Sequence, residues 1–314
     1  MKKLILHIGR HKTGSSAIQD CLIKNTALLK DYDYYYPREA RKGRGHHQIA
    51  ESNAGLLKRL NSLLIRPKLP EAVIDELLQN DQFTPILSSE AFQNCHPHLI
   101  KQLFENYDIN VVIYLRNHID YLASAYTQWV HSSDYKGSIW RYFFTSYSVN
   151  YRRFLQQWER QFPGKLVVRR FEPTALVNND IRTDFLTYGL NIDTTKLPKF
   201  AHSTTNPSLN QKVLQLKLHL NRIGETKKYC PHRLYKALPL LNKEFPARQF
   251  QTPRLIAKWV RQRNRNRDSE VAQEYFSEKE LFHYKSEAPV HSYNLSKTEL
   301  SHMKEALSEL INEQ

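Results

Sequence analysis

The chain has few cysteines and no long apolar run. Its three cysteines, Cys21, Cys95 and Cys230, are odd in number and lack metal-site spacing, so we interpret them as reduced structural residues. No apolar stretch approaches the roughly 20 residues that span a bilayer, and the apolar residues at 4–6 are too few for a signal peptide. We therefore expect a soluble, cytoplasmic protein without a disulfide framework, a transmembrane segment or a metal site.

Residues 4–19 have the pattern of a strand, a phosphate-binding loop and a helix start. The apolar run at 4–8 is typical of a strand buried on both faces of a parallel sheet. Gly9 and Gly14 let the backbone curl, so that N–H groups and the positive end of the next helix converge on one anion. The two serines after Gly14 add hydroxyl donors. This stretch therefore predicts a phosphate site.

The lysine of this loop is displaced from the position that a nucleotide triphosphatase requires. A Walker A loop has Gly-Lys-Ser/Thr, whereas Lys12 stands two residues before Gly14. The strand predicted at 111–115 also lacks a terminal aspartate to hold magnesium. ATP and GTP are therefore not the expected ligands. Lys-Thr-Gly-Ser-Ser after a strand instead resembles the 5′-phosphosulfate loop of the sulfotransferases, which use 3′-phosphoadenosine 5′-phosphosulfate (PAPS).

A second segment, residues 110–126, strengthens this resemblance. It is another apolar strand, it ends in Arg116, and it continues into a helix with Ser124 eight residues later. This order is similar to the sulfotransferase element that binds the 3′-phosphate, in which an arginine pairs with the phosphate and a serine donates to it. The sequence departs from the family at His118, where proline is usual, but that change removes no phosphate donor.

The resemblance implies a PAPS-dependent sulfotransferase that moves a sulfuryl group to an acceptor hydroxyl, less commonly an amine, without a metal. It further implies that Lys12 neutralises charge on the leaving oxygen. The residues expected to bind PAPS are Arg10, His11, Lys12, Thr13, Gly14, Ser15, Ser16, Arg116 and Ser124.

The base that removes the acceptor proton is histidine or glutamate in the family, at positions that vary. Glu90 is our first candidate, because it follows a predicted strand at the sheet edge where ligands bind in open α/β folds. A helix N-terminal carboxylate would look the same. His47 is the second candidate and His11 the third. We interpret the remaining histidines of the pattern as surface residues; they are His46, His96, His98 and His118.

Strand and helix patterns alternate over the first 190 residues, and helical patterns dominate after Ile192. The expected fold is α/β: a P-loop-like three-layer fold with a mostly parallel central sheet flanked by helices and a helical C-terminal part. We expect one domain over 1–314, with an α/β core at 1–193 and a helical part at 194–314. A capping box at 296–299 predicts the start of the last helix.

Basic residues outnumber acidic ones, at 46 Lys and Arg against 31 Asp and Glu. Nucleic-acid binding would explain the basic segment 258–267, but a phosphorylated donor, an anionic acceptor or a solvated helix face explains it equally. We expect a glycan or small-molecule acceptor, since the loop resembles that of bacterial carbohydrate enzymes, and no nucleic acid. A P-loop kinase and a non-catalytic polyanion-binding protein stay as alternatives. The oligomeric state does not follow from the sequence.

Overall fold

Five parallel strands form one sheet in the order β2-β3-β1-β4-β5. The strands are β1 (Lys2–Ile8), β2 (Tyr34–Tyr35), β3 (Thr84–Ser89), β4 (Tyr107–Leu115) and β5 (Leu166–Arg170). Although β3 and β4 are consecutive in the chain, they pair with opposite sides of β1. The carboxyl end of β1 is therefore a topological switch point, where open α/β sheets bind their ligands.

The structure is a computed structural model that describes residues 1–9, 12–52, 67–197, 200, 208–284 and 294–312. The chain divides into two compact units, each assembled from separate stretches. The first unit comprises residues 1–116, 150–203 and 267–282, and it contains the whole sheet. The second comprises residues 117–149, 204–266 and 283–314.

Continuous apolar runs explain the central strands of the first unit. Residues 4–6 and 8 of β1 and residues 111–115 of β4 are all buried, so side chains on both faces of these strands are removed from water. Helices cover the sheet, as a parallel arrangement requires. In the first unit they are α1 (Ser15–Lys24), α2 (Thr26–Asp31), α3 (His47–Ser52), α4 (Glu71–Gln79), α5 (Pro97–Leu103), α8 (Tyr151–Glu159) and α9 (Ile181–Asp184).

One core cluster joins a face of the sheet to α1 and to the segment that follows β5. Ile5, Ile86 and Val112 contribute from three neighbouring strands, Ile18 from α1, and Phe185 from the turn after α9. All five side chains are at most 3% exposed. This packing fixes α1 against the sheet, and it thereby also fixes the end of the loop that leads into the helix.

Two ion pairs connect the late segment 267–282 to the rest of the first unit. Arg170, the last residue of β5, donates two hydrogen bonds to the Glu278 carboxylate, at 3.1 and 2.8 Å. Arg152 on α8 pairs with Glu270. The guanidinium of Arg170 also lies 4.2 Å from the ring centroid of Phe276. Side chains more than a hundred residues apart in the chain therefore complete this unit.

The second unit contains helices and connecting loops but no strand of the sheet among its described residues. Its helices are α6 (His118–Ser132), α7 (Ile139–Thr145), α10 (Gln211–Ile223), α11 (Pro231–Ala237), α12 (Leu241–Glu244), α14 (Lys297–Asn312) and the first part of α13 (Arg254–Phe276). The predicted capping box is confirmed: Glu299 N–H donates to Ser296 Oγ and Ser296 N–H donates to the Glu299 carboxylate, both at 3.1 Å. No helix in the described ranges is long and apolar enough to cross a membrane.

The predicted fold class is confirmed, since a parallel five-stranded sheet with helices around it precedes a helical remainder. β3 ends at Ser89, and Glu90 begins a short 3₁₀ helix, Glu90–Asn94, capped by the Ser89 hydroxyl. α10 begins at Gln211, because Asn210 caps it through its side-chain oxygen.

Candidate functional site

The register of the sheet brings three chain segments together at one edge. Ile8 at the end of β1 is opposite Ser89 on one side and Ile113 on the other. The residues that follow these strands therefore meet: the loop after β1, Glu90 after β3, and Arg116 after β4. Gly9 N–H donates to the Ser89 carbonyl at 3.2 Å, which ties the first two segments to each other.

The loop between β1 and α1 depends on two residues with left-handed backbones. Lys12 has φ 68° and Gly14 has φ 75°. A left-handed backbone is costly for a lysine and free of strain for a glycine. Such a turn directs successive N–H groups to one side, as in an anion-binding nest. Arg10 and His11, both expected to bind PAPS, lie outside the described residues.

Gly9 is required by the close approach of its neighbours. A Cβ atom at this position would lie 3.0 Å from Glu90 Cγ and closer still to the side chain of Ser15. Since real Cβ atoms do not approach other atoms so closely, only glycine fits without a shift of the surrounding chain. This contact also places Ser15 and Glu90 on the same small region of the edge.

The N-terminus of α1 has donors that are not used within the described part of the chain. Gly14 is the N-cap, and no described side chain caps the helix. Ser15 is 3% exposed, and its Oγ has no hydrogen-bond partner among the described residues. An orphaned buried hydroxyl at a helix N-terminus fits an anion. Thr13 is fully buried, whereas Ser16 is exposed.

Arg116 contacts the loop directly. Its Nη1 donates to the main-chain carbonyl of Lys12 at 2.7 Å, across 104 positions of sequence. The guanidinium also lies 5.7 Å from the ring centroid of Phe171, the residue after β5. Phe171 N–H donates to the Leu115 carbonyl at 2.7 Å and so continues the pairing of the two strands. The two predicted phosphate-binding elements are thus joined by a hydrogen bond.

The charge of Lys12 is shifted by its surroundings. Burial lowers its pKa from the usual range, the nearby Arg116 lowers it further, and Glu90 acts in the opposite direction. These three charged side chains follow three different strands of the sheet. A lysine with a depressed pKa that faces a second cation marks a region prepared for negative charge.

Glu90 and His47, the first two candidates for the base, are neighbours. His47 Nε2 lies 3.7 Å from Glu90 Oε2, and both side chains are partly exposed. His47 Nδ1 shares a 2.8 Å hydrogen bond with Ser89 Oγ. Gln19 Nε2 on α1 lies 3.5 Å from Glu90 Oε2 and donates to Ser88 Oγ at 3.2 Å. The carboxylate is therefore oriented from two sides.

Two buried histidines, His7 and His46, contact Ser88 on the same strand end as this pair. The expectation that His46 is a surface residue is therefore wrong. His46 is fully buried because its ring bridges two chain segments: Nδ1 accepts from Ser88 N–H at 3.1 Å, and Nε2 lies 3.0 Å from the Pro37 carbonyl. This pattern requires the neutral tautomer with the proton on Nε2. Burial lowers the pKa of His46 to about 3, which keeps the ring neutral. His7 Nδ1 reaches Ser88 Oγ at 2.8 Å, and burial lowers its pKa likewise to about 3.

The sequence reasoning missed Gln19, Ser88 and the supporting role of His46. The hydroxyls of Ser88 and Ser89, the two residues before Glu90, contact His7, Gln19 and His47. The only sequence signal for these contacts is polar residues inside buried segments, at positions where an amphipathic pattern predicts apolar ones.

Ser124 and His118 belong to the second unit. Ser124 is partly buried on α6. His118, expected at the surface, is fully buried because its Nδ1 shares a 2.9 Å hydrogen bond with the Tyr147 hydroxyl. It is the first residue of α6, after Asn117, whose side-chain oxygen accepts from Ile119 N–H at 2.9 Å. The N-cap and the histidine contact therefore fix the start of this helix without the proline that the family usually has.

Asp184 on α9 is a fully buried carboxylate. It accepts from the Tyr114 hydroxyl at 2.8 Å and from Arg169 Nε and Nη2 at 3.1 and 2.6 Å. Val177 N–H adds a fourth bond, at 3.1 Å. With its acceptors satisfied, this carboxylate ties β4 and β5 to α9, and Ile181 of α9 would meet a Cβ on Gly14 at 3.0 Å. Its position favours a structural role beneath the loop.

Two further features bear on ligands. Within the described ranges no group of three or more His, Cys, Asp or Glu side chains is arranged to hold a metal ion. A cavity of about 480 Å³ in the first unit contains none of the predicted site residues; it is lined by Thr26, Ala27, Lys30, Tyr35, Tyr36, Arg38, Glu76 and Asn80.

Comparison with known proteins finds a structural similarity but no match in sequence. No protein-family model matches the chain, and no curated protein matches its sequence. Among solved structures, the chain is similar to the crystal structure of a sulfotransferase from Alicyclobacillus acidocaldarius, with 17% identity and a TM-score of 0.43. The match covers 70% of this chain and 93% of that one. At this level the similarity carries no argument about activity, which must be argued from the residues of the site.

Proposed function

We propose that this protein is a sulfotransferase that transfers a sulfuryl group from PAPS to an acceptor hydroxyl. The observation that carries the proposal is the 2.7 Å hydrogen bond from Arg116 to the carbonyl of Lys12. It joins two elements that separately resemble the 5′- and 3′-phosphate sites of sulfotransferases, at the sheet edge where Glu90 also lies. A donor with two phosphate positions requires such a pair of neighbouring cationic sites.

The residues of the loop fit the 5′-phosphate. Ser15 Oγ is buried without a described partner, and the N-terminus of α1 is not capped by a described side chain. A phosphate would give both a partner, and the helix dipole favours its charge. Ser16, in the same first turn, is exposed and able to donate its hydroxyl. Thr13 is fully buried, so we assign its main-chain N–H rather than its side chain to this site.

Arg116 and Ser124 are assigned to the 3′-phosphate. A guanidinium has five N–H donors in a planar fork, so Arg116 can hold the carbonyl of Lys12 and a phosphate together. The ring of Phe171 lies against the guanidinium and limits its freedom. The role of Ser124 rests on its position in the motif alone.

Lys12 supplies positive charge beside the loop. When bound, PAPS supplies the sulfuryl group and a bisphosphate leaving group. Charge develops on the oxygen between sulfur and the 5′-phosphate, and a fixed ammonium group stabilises it without a metal ion. The depressed pKa of Lys12 in the protein alone shows that burial and Arg116 destabilise its charge there. An anion in the site would relieve that cost, so its binding and protonation of Lys12 favour each other.

Glu90 is assigned as the base. Its carboxylate oxygen would accept the proton of the acceptor hydroxyl as the new oxygen–sulfur bond forms. Gln19 lies within hydrogen-bond range of the carboxylate, at 3.5 Å, and His47 Nε2 lies 3.7 Å from it. His47 is the alternative base, and Ser89 fixes its ring through Nδ1. A sugar hydroxyl is the acceptor class we propose, on the resemblance of the loop to that of bacterial carbohydrate enzymes.

Calorimetric titration tests the donor. Adenosine 3′,5′-bisphosphate is titrated into the protein beside ADP and ATP with magnesium. We expect binding that depends on the 3′-phosphate, and a loss of about 1.5 to 3 kcal/mol in Arg116→Ala, since hydrogen bonds to a charged group are worth this much. The control is Arg160→Ala, which removes an exposed arginine at the end of α8 and should bind normally.

Other results would assign the protein elsewhere. Preference for ATP with magnesium would favour a kinase. Absence of nucleotide binding, together with salt-sensitive binding of heparin, would favour a non-catalytic polyanion-binding protein. Normal bisphosphate binding by Arg116→Ala would show that the second phosphate site has been misplaced.

A further inference from the structure

Large aromatic side chains are exposed on one surface of the second unit. Phe144 on α7 is 65% exposed and Trp259 on α13 is 44% exposed. Their ring centroids are 5.8 Å apart, and Trp140 contacts both, at 6.4 and 5.8 Å. Leu255, one helical turn before Trp259, is 61% exposed. We call Trp140, Phe144, Leu255 and Trp259 the aromatic face. Large apolar side chains that are exposed next to one another are typical of interaction sites.

The surroundings of the aromatic face carry one sign of charge. Residues 254–266 of α13 include five Lys and Arg and no Asp or Glu, and α7 has Arg141 as its only charged residue. Lys258 and Arg263 are exposed on α13, where spacing of one turn places Arg263 beside Trp259. The exposed surface of these two helices therefore places apolar side chains next to cations, a combination that suits the surface of an anionic membrane.

We propose that the aromatic face docks on an anionic lipid bilayer. Leu255 and Phe144 fit the boundary between headgroups and acyl chains, where Trp259 is also favoured. Arg141, Lys258 and Arg263 would bind lipid phosphates, which explains why no acidic residue occurs in these two segments. Membrane binding by this surface is a further function, and it does not depend on the proposed transfer reaction.

Ring geometry and composition favour a bilayer over a nucleic acid. Stacking on bases requires ring faces that are open and roughly parallel. Here Trp140 and Trp259 meet at 78° and Phe144 and Trp259 at 59°, whereas Trp140 and Phe144 are stacked at 22°, so the three rings do not present one set of parallel faces. Leu255 has no ring to stack. In the sequence alone, the same basic segment was compatible with several anionic partners. In the structure, its chemistry fits binding to a lipid surface.

Vesicle sedimentation with the full chain tests the proposal. The probes are vesicles of phosphatidylcholine alone and of phosphatidylcholine mixed with phosphatidylglycerol. We expect binding only to the mixed vesicles, with at least a tenfold loss of affinity in the double variant Phe144→Ser, Trp259→Ser. The matched control, Ile223→Ser with Leu240→Ser, removes exposed apolar side chains of the same unit that lie outside the aromatic face, and it should bind normally.

Two further measurements separate the contributions. The double variant Lys258→Glu, Arg263→Glu should no longer bind the mixed vesicles, and its thermal unfolding midpoint should equal that of the parent chain. Trp259→Phe, which keeps an apolar ring, should retain binding but lose much of the shift of tryptophan emission to shorter wavelength. Equal binding by the parent and the aromatic double variant would overturn the proposal. The proposal would also be overturned if duplex DNA displaced the protein from the mixed vesicles at a lower concentration than added phosphatidylglycerol vesicles do.

Discussion

Arg116 and Lys12 share a hydrogen bond of 2.7 Å between a guanidinium N–H and a main-chain carbonyl. The bond uses the main-chain carbonyl of Lys12, and the charge of Arg116 is close enough to disfavour the lysine ammonium. Burial and this proximity both lower the pKa of Lys12. Two neighbouring cations are unfavourable in an empty site and favourable in a site that holds negative charge.

Lys12→Ala should reduce turnover by about 100- to 1,000-fold, the typical loss of one preorganised transition-state donor, with a smaller loss of donor binding. Lys12→Arg keeps the charge and should retain part of the activity. Because only the ammonium form is active, kcat/KM should fall as the pH rises through the depressed pKa of Lys12. The arginine variant should move this fall to higher pH. A fall at the same pH in both proteins would exclude Lys12 as its source.

Glu90→Gln should abolish transfer while leaving bisphosphate binding intact, since the amide cannot accept the proton. His47→Gln should lower the rate less, because it removes only a neighbour at 3.7 Å from the carboxylate. Single-turnover rates and calorimetry on both variants distinguish the two. If Glu90→Gln stays active and His47→Gln does not, the base is His47.

Gly9→Ala should weaken both stability and donor binding. The added methyl group would press on Ser15 and on Glu90, and overpacking of this kind typically costs about 1–3 kcal/mol. The matched control is Gly43→Ala, which meets no atom within 4 Å and has φ 70°. It should lose stability through backbone strain alone and should bind the bisphosphate normally. Equal effects of the two variants on binding would contradict the assigned packing of the loop.

His46 should make the protein sensitive to acid. The pKa of about 3 in the folded chain lies below the unfolded value of about 6.5. The unfolded chain therefore takes up the proton first, and stability is lost as the pH falls from 6.5 towards 3. At pH 5 the cost is about 2 kcal/mol. His46→Gln should show a smaller change of unfolding midpoint between pH 7 and pH 5, whereas the exposed His98→Gln should behave as the parent chain does.

Strands and the loop could be predicted because their signals are local. The apolar runs of β1 and β4 and the glycines of the loop lie within a few residues of one another, and parallel topology then predicts that Lys12, Glu90 and Arg116 share an edge. Their order in the chain is enough for this inference.

Side-chain partners at the site could not be predicted, because they depend on register between distant segments. Gln19 and Ser88 are 69 positions apart, and their contact exists only because α1 packs beside β3. His46 and His118 resemble surface residues in sequence. Both are buried, and their contacts with the Pro37 carbonyl and the Tyr147 hydroxyl are ones that no periodicity indicates.

The Arg170–Glu278 contact has a consequence for biosynthesis. The two side chains are 108 positions apart, and the unit that contains the sheet is complete only with residues 267–282. At typical synthesis rates of about 5–20 residues per second, β5 leaves the ribosome several seconds before the carboxylate that pairs with its last residue. During that interval the nascent sheet lacks part of its own unit, and chains truncated before residue 267 stay in that state permanently.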